Sequence, residues 1–182
     1  MSRITEAEVS HSHLPLMNKA KRIVNRGISR VIVGRTFVAM LLAAAVACDA
    51  GNGFGPDSDA DPELLLFVDL VNDHRESIGC PRLVWNDDVA EVAQAHSEDM
   101  VDRDFFDHTN PDGDSPFDRL QNEGVPYSSG AENIAWGYHT AAAVLDGWLN
   151  SAGHKANIEN CSLTEHGVGL HQSRWTHLFI RP

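Results

Sequence analysis

Apolar residues fall at Leu64, Phe67, Val68 and Val71, the i, i+3, i+4, i+7 spacing of a single helix face. This predicts a helix running to about Ser77, where Gly79-Cys80-Pro81 stops it. Asn86 is placed to cap a second helix, with Asp87 and Asp88 favouring the dipole of its first turn. Val89, Val92, Ala93, His96 and Met100 share one face of that helix, so His96 points inward and reads as a hydrogen-bonded core histidine, with a role in the site as the alternative. Turn residues crowd the stretch from Phe105 to Pro116, and Ser115 followed by Pro116 opens a short third helix through Leu120. Thr140 caps a fourth helix that buries Val144, Leu145, Trp148 and Leu149 before Gly153 ends it. Strands are expected over 132–136, 165–171 and 175–180. Helices bracketing a small sheet imply an α+β fold, a three-layer α-β-α sandwich.

The N-terminal part has a different pattern. Residues 36–47 form a twelve-residue run without charge, preceded by Lys19, Lys21, Arg22, Arg26, Arg30 and Arg35. That length is short for a membrane span and suits a signal-peptide core, so residues 1–47 read as a leader, with Met17 as an alternative start. Ala45-Val46-Ala47-Cys48 resembles a bacterial lipobox, in which the cysteine is lipidated and becomes the first mature residue. Lipidation at Cys48 would make the chain a membrane-anchored lipoprotein, each buried acyl methylene contributing about 0.8 kcal/mol. The competing reading is an ordinary secretory peptide cut near Ala47. Residues 48–62 are acidic, rich in glycine and poor in large apolar side chains, so they read as a flexible tether to a domain over 63–182. Asp57-x-Asp59-x-Asp61 imitates a calcium loop, but Pro62 and Val68 stand where that loop needs Gly and Glu.

Charge divides at the same place. Residues 49–182 carry seven Lys/Arg against 24 Asp/Glu, a net of −17, which excludes nucleic acid as a partner because phosphates would be repelled. The domain is expected to be a monomer. If Cys48 takes lipid, Cys80 and Cys161 remain as an even pair in an exported protein and are expected to form a disulfide, two separately buried thiols being the alternative.

Motifs within 64–179 carry a family resemblance: Asn72-x-x-Arg75, Leu83-x-Trp85, His96-Ser97-x-x-Met100, a run from His108 to Arg119, Ala131-Glu-Asn-Ile-Ala135, Trp148-x-x-Ser151-x-Gly-His154, Gly167-Val-Gly169 and Trp175-Thr-His-Leu-Phe179. Together these resemble the CAP superfamily of cysteine-rich secretory, antigen 5 and pathogenesis-related 1 proteins, in its compact bacterial SCP-like form. The resemblance implies the same sandwich and a cleft that gathers two histidines and two acids. By motif, His108 and His154 match the histidines and Glu132 one acid, while Ser151 stands where longer relatives have the other. These three are therefore the candidate ligand-binding residues.

Two imidazoles and a carboxylate also suffice for a catalytic zinc with an open water position. His108 and His154 are thus the candidate ligands of a divalent metal, and Glu132 a candidate base. The bland alternative is a carboxylate that accepts hydrogen bonds from the histidines or from backbone amides and holds loop to strand. There is no Gly-x-Ser-x-Gly elbow and no free cysteine once the disulfide and lipobox are assigned. The resemblance implies lipid, glycan or cell-wall ligands. A ligand-binding or interaction module of the cell envelope is the expected function, with a metal-assisted ester or peptide hydrolase as the rival.

Overall fold

The computed structural model describes residues 3–10, 56 and 60–182. The hydrophobic leader core, Met17, Cys48, Asp57 and Asp59 lie outside the described residues. Arg3–Ser10, read from the sequence as part of the leader, is a strand (β1). The remaining elements are α1 (Pro62–Ser77), β2 (Val84–Trp85), α2 (Asp87–Asp102), α3 (Pro116–Asn122), β3 (Ser129–Trp136), α4 (Ala141–Leu149), α5 (Ala152–Ile158), β4 (Glu165–His171) and β5 (Arg174–Arg181).

The caps explain the helix starts. Asp61, the third acid of the calcium-like motif, accepts from Glu63 N at 2.8 Å and caps α1. Asn86 accepts from Val89 N, and Ser115 with Asp118 forms a reciprocal capping box at α3. At α4 the cap is Thr140, as expected, but the helix ends at Leu149 and a separate α5 follows. Gly153 therefore does not end a helix; it lies inside one that starts after Ser151.

The sheet order is β1-β3-β5-β4-β2, antiparallel except for the short β2–β4 pair. Its two faces carry different cores. Trp175, Phe179, Ala131, Ala135 and Val168 pack with α1, α4 and α5. Leu178 and Ile180 pack with Val89, Val92 and Ala93 of α2 and Leu120 of α3. Strand alternation thus sends neighbours into opposite layers, and the expected α-β-α sandwich is the observed one. Helix α2 lies close on β4 because Gly167 and Gly169 present no side chain. A Cβ on Gly167 would meet Ala90 N at 2.2 Å, and one on Gly169 the Ala93 carbonyl carbon at 2.4 Å.

Two family-motif residues of α1 tie down the chain that follows. Asn72 exchanges hydrogen bonds with the backbone of Leu83. Arg75, fully buried, donates to the carbonyls of Pro81, Ile158, Asn160 and Leu163, a cation satisfied by backbone dipoles. The Cys80–Cys161 disulfide closes the same corner, with a Cα–Cα distance of 5.1 Å. Buried among the rings of Trp85, Phe67 and Trp148, His166 Nδ1 and His177 Nε2 lie 3.0 Å apart.

Candidate functional site

Glu132 stands in the middle of β3, opposite Leu178, so its side chain enters the layer of α2 and α3. It is fully buried. Oε1 accepts from His108 Nδ1 at 2.7 Å and Oε2 from Arg119 Nη2 at 2.7 Å. Burial by itself would raise the Glu132 pKa. The His108 hydrogen bond and the fields of Arg119, His96 and His108 outweigh burial and hold it below the ordinary value of 4.5. The group is an ionised carboxylate with both oxygens engaged.

His108 lies on the loop between α2 and α3, the segment whose turn residues stood out in the sequence. Because a carboxylate only accepts, Nδ1 carries the proton, and in the neutral ring Nε2 presents a lone pair. Nε2 is buried and has no hydrogen-bond partner among the described residues. Arg119 reaches in from α3; besides Glu132 it donates through Nη1 to His108 O at 2.7 Å and Asp114 O at 3.2 Å. Its side chain is 11% exposed and that of His108 12%, so this charge cluster is largely dry. His96 of α2 is also buried and holds Asp107 O at 3.0 Å through Nε2, the hydrogen-bonded role read from its helix face. Burial lowers its pKa and Arg119 adds to that, against the opposing pull of Glu132.

The structure therefore brings His108 and Glu132 together and adds Arg119, which the sequence marks only as the end of a matched motif. His154 reaches β3 differently. It sits on α5, 2% exposed, and its carbonyl accepts from Asn133 Nδ2 at 3.1 Å. Asn157 of the same helix donates to Asn133 Oδ1 at 2.9 Å and to Glu132 O at 3.4 Å. Asn133 follows Glu132 on the strand and so faces the other layer. These bonds attach α5 to β3 from the side away from His108.

Chemically, the cluster offers one strong acceptor, His108 Nε2, behind which the proton on Nδ1 is fixed by a carboxylate. That carboxylate–histidine pairing orients an imidazole for a ligand O–H or N–H, and it is also the outer-shell arrangement of metal-bound histidines. For a metal, Glu132 fits as the outer carboxylate and not as a ligand. Among the described residues no group of three or more His, Cys, Asp or Glu stands in metal-holding geometry.

The model of the family described as "CAP: Cysteine-rich secretory protein family" matches residues 68–179. Two Bacillus subtilis proteins are similar over 115 residues: the uncharacterised protein YkwD, 40% identical over 62% of this chain and 45% of its own length, and the uncharacterised membrane protein YlbC, 39% identical over 63% and 33%. The chain thus spans less than half the length of these curated relatives. Among solved structures, an extracellular SCP-domain protein from Bacillus anthracis superposes with a TM-score of 0.63 at 39% identity, covering 64% of this chain and 39% of that one. An outer surface protein from Borrelia burgdorferi shares the fold, with a TM-score of 0.63 at 20% identity over 70% of this chain and 98% of its own.

Proposed function

Starting from a chain that belongs to the cysteine-rich secretory protein family, we propose that it is an exported ligand-binding or interaction module of the cell envelope, whose ligand contacts His108. The observation that carries this reading is the buried Nε2 of His108, unpartnered among the described residues and set by a carboxylate that Arg119 holds in place. A buried acceptor without a partner costs on the order of 1–3 kcal/mol, and a ligand donor that reached it would recover that. The acceptor lone pair favours a ligand hydroxyl or amine over an anion.

Export is supported by the leader pattern, the disulfide and the extracellular description of the Bacillus anthracis protein. In this reading Cys48 carries the lipid anchor, and intact-mass measurement of the mature chain tests it: an acylated cysteine supports the anchor, an unmodified N-terminus refutes it.

A metal held jointly by His108 and His154 is the weaker second reading, because α5 attaches to β3 from the side away from His108; a divalent ion on His108 Nε2 would polarise a ligand oxygen. The rival hydrolase fares less well on chemistry. A base should have a pKa near the working pH, and Glu132 has its value held down while each oxygen already accepts from His108 or Arg119. Titration calorimetry with zinc separates these readings, heat that disappears in the His108→Ala/His154→Ala double variant favouring metal.

The principal test is native mass spectrometry of the full chain after incubation with envelope lipid and glycan extracts, wild type beside His108→Phe. A retained adduct that the variant loses is expected. A wild type that stays empty in every extract, or a variant that keeps the adduct, overturns the reading.

A further inference from the structure

The imidazole of His108 is only as well placed as the backbone that bears it. Two peptide planes flank the His108 Cα, and each is pinned by a side chain at its carbonyl. The plane before it carries Asp107 O, which lies 3.0 Å from His96 Nε2; the plane after it carries His108 O, which accepts from Arg119 Nη1 at 2.7 Å. Fixing both planes fixes φ and ψ at His108, and the 2.7 Å bond to Glu132 then fixes the ring. The loop's own turn bonds, Thr109 N to Asp107 Oδ1 and Asn110 with Asp112 and Asp114, lie within the loop and do not reach the sheet.

His96 suits this task. It projects from the middle of the sixteen-residue α2, whose neighbouring residues Ala93, Ser97 and Met100 are buried, and Ser97 Oγ bonds Thr176 Oγ1 of β5 at 2.8 Å. Its ring packs against Phe105 with centroids 5.7 Å apart, so the side chain has little freedom to turn. A carbonyl accepts and cannot donate; the contact to Asp107 O therefore puts the His96 proton on Nε2.

We propose that His96 is a positioning residue: by holding the Asp107 carbonyl it sets the peptide plane that orients His108, and so keeps His108 in the single tautomer with Nδ1 protonated toward Glu132 and Nε2 bare. The idea rests on the reading of His108 as the ligand contact, yet its test needs no ligand and so can fail separately from that reading.

The experiment is long-range 15N–1H correlation of histidine rings in the full chain labelled with 15N-histidine, comparing wild type, His96→Phe and His96→Gln. Wild type should show one tautomer at His108, protonated at Nδ1, and at His96 the opposite one, protonated at Nε2. His96→Phe keeps the packing and loses the donor; it should give mixed tautomers at His108. His96→Gln retains an amide donor for Asp107 O and should restore the single tautomer. An unchanged His108 pattern in a folded His96→Phe protein overturns the proposal. So does a glutamine variant as mixed as the phenylalanine one. Should His96→Phe not fold, the wild-type spectrum and the glutamine variant decide: a His96 ring protonated at Nδ1, or loss of the single His108 tautomer in His96→Gln, overturns it.

Discussion

Replacing Arg119 with methionine isolates the central electrostatic contact. The substitution keeps an unbranched, apolar stem and removes three hydrogen bonds, to Glu132, His108 O and Asp114 O. Glu132 is then a fully buried carboxylate with His108 alone. Removing one member of a buried ion pair costs about 3–5 kcal/mol. Glu132 can escape by taking up a proton. At pH 7, protonating a group whose ordinary value is 4.5 costs about 3.4 kcal/mol at 1.36 kcal/mol per unit, which limits the loss to the same range.

The pH dependence should change sign. In the wild type the folded-state pKa of Glu132 lies below its unfolded value, so its stabilisation is present above about pH 4.5 and is lost as pH falls through the lower folded value. Without Arg119, burial dominates and the folded value rises. The variant should then recover part of its deficit as pH falls from 7 towards 5. Urea denaturation at pH 7 and pH 5 measures both effects. The double variant Arg119→Met/Glu132→Gln should cost less than the sum of the singles, because it removes both charges. A single-variant loss below about 1 kcal/mol, or strictly additive singles, would refute the buried-pair account.

Three further outcomes are expected. Cys80→Ser/Cys161→Ser opens a closure of 81 residues and should lose roughly 4 kcal/mol in the chain-entropy model; equal midpoints with and without reductant would contradict this. Gly167→Ala places a Cβ 2.2 Å from Ala90 N, a backbone atom that cannot swing aside, so the α2–β4 contact must open at a cost of about 3 kcal/mol or more, read by thermal unfolding; a variant as stable as wild type would show that α2 does not lie this close. Burial pushes the His166 pKa down to about 3 and His177 well below its ordinary 6.5, so the unfolded chain takes up protons that the folded one refuses. Each should therefore lower stability by about 2 kcal/mol between pH 6.5 and pH 5, and a flat or rising profile over that window would contradict neutral burial.

How much of this was legible in the sequence varies by element. Helix starts were readable because Asn86, Ser115 and Thr140 cap through local bonds that need no tertiary context. Helix α5 was not, since Ala152-Gly153 reads as a stop, and only the burial of His154, Asn157 and Ile158 makes the short turn worthwhile. Strand β5 was found, but its faces were hidden: every residue from Arg174 to Ile180 is buried, so no polar alternation marks which side chain enters which layer. That same concealment separates Glu132 from Asn133 and attaches His154 to the other side of β3. A sequence shows that a buried glutamate needs a cation; it cannot show which arginine supplies it. Arg119 lay at the end of a matched motif and Arg75 in another, and folding alone gave the first to Glu132 and the second to backbone carbonyls.

The central claim, that a ligand meets His108 at its bare nitrogen, is tested most directly by following the His108 ring nitrogens while fractionated envelope extract is added to the full chain. The account predicts that the Nε2 resonance moves and saturates while Nδ1, held by Glu132, stays in place. Ligand uptake with both ring nitrogens unmoved would contradict it.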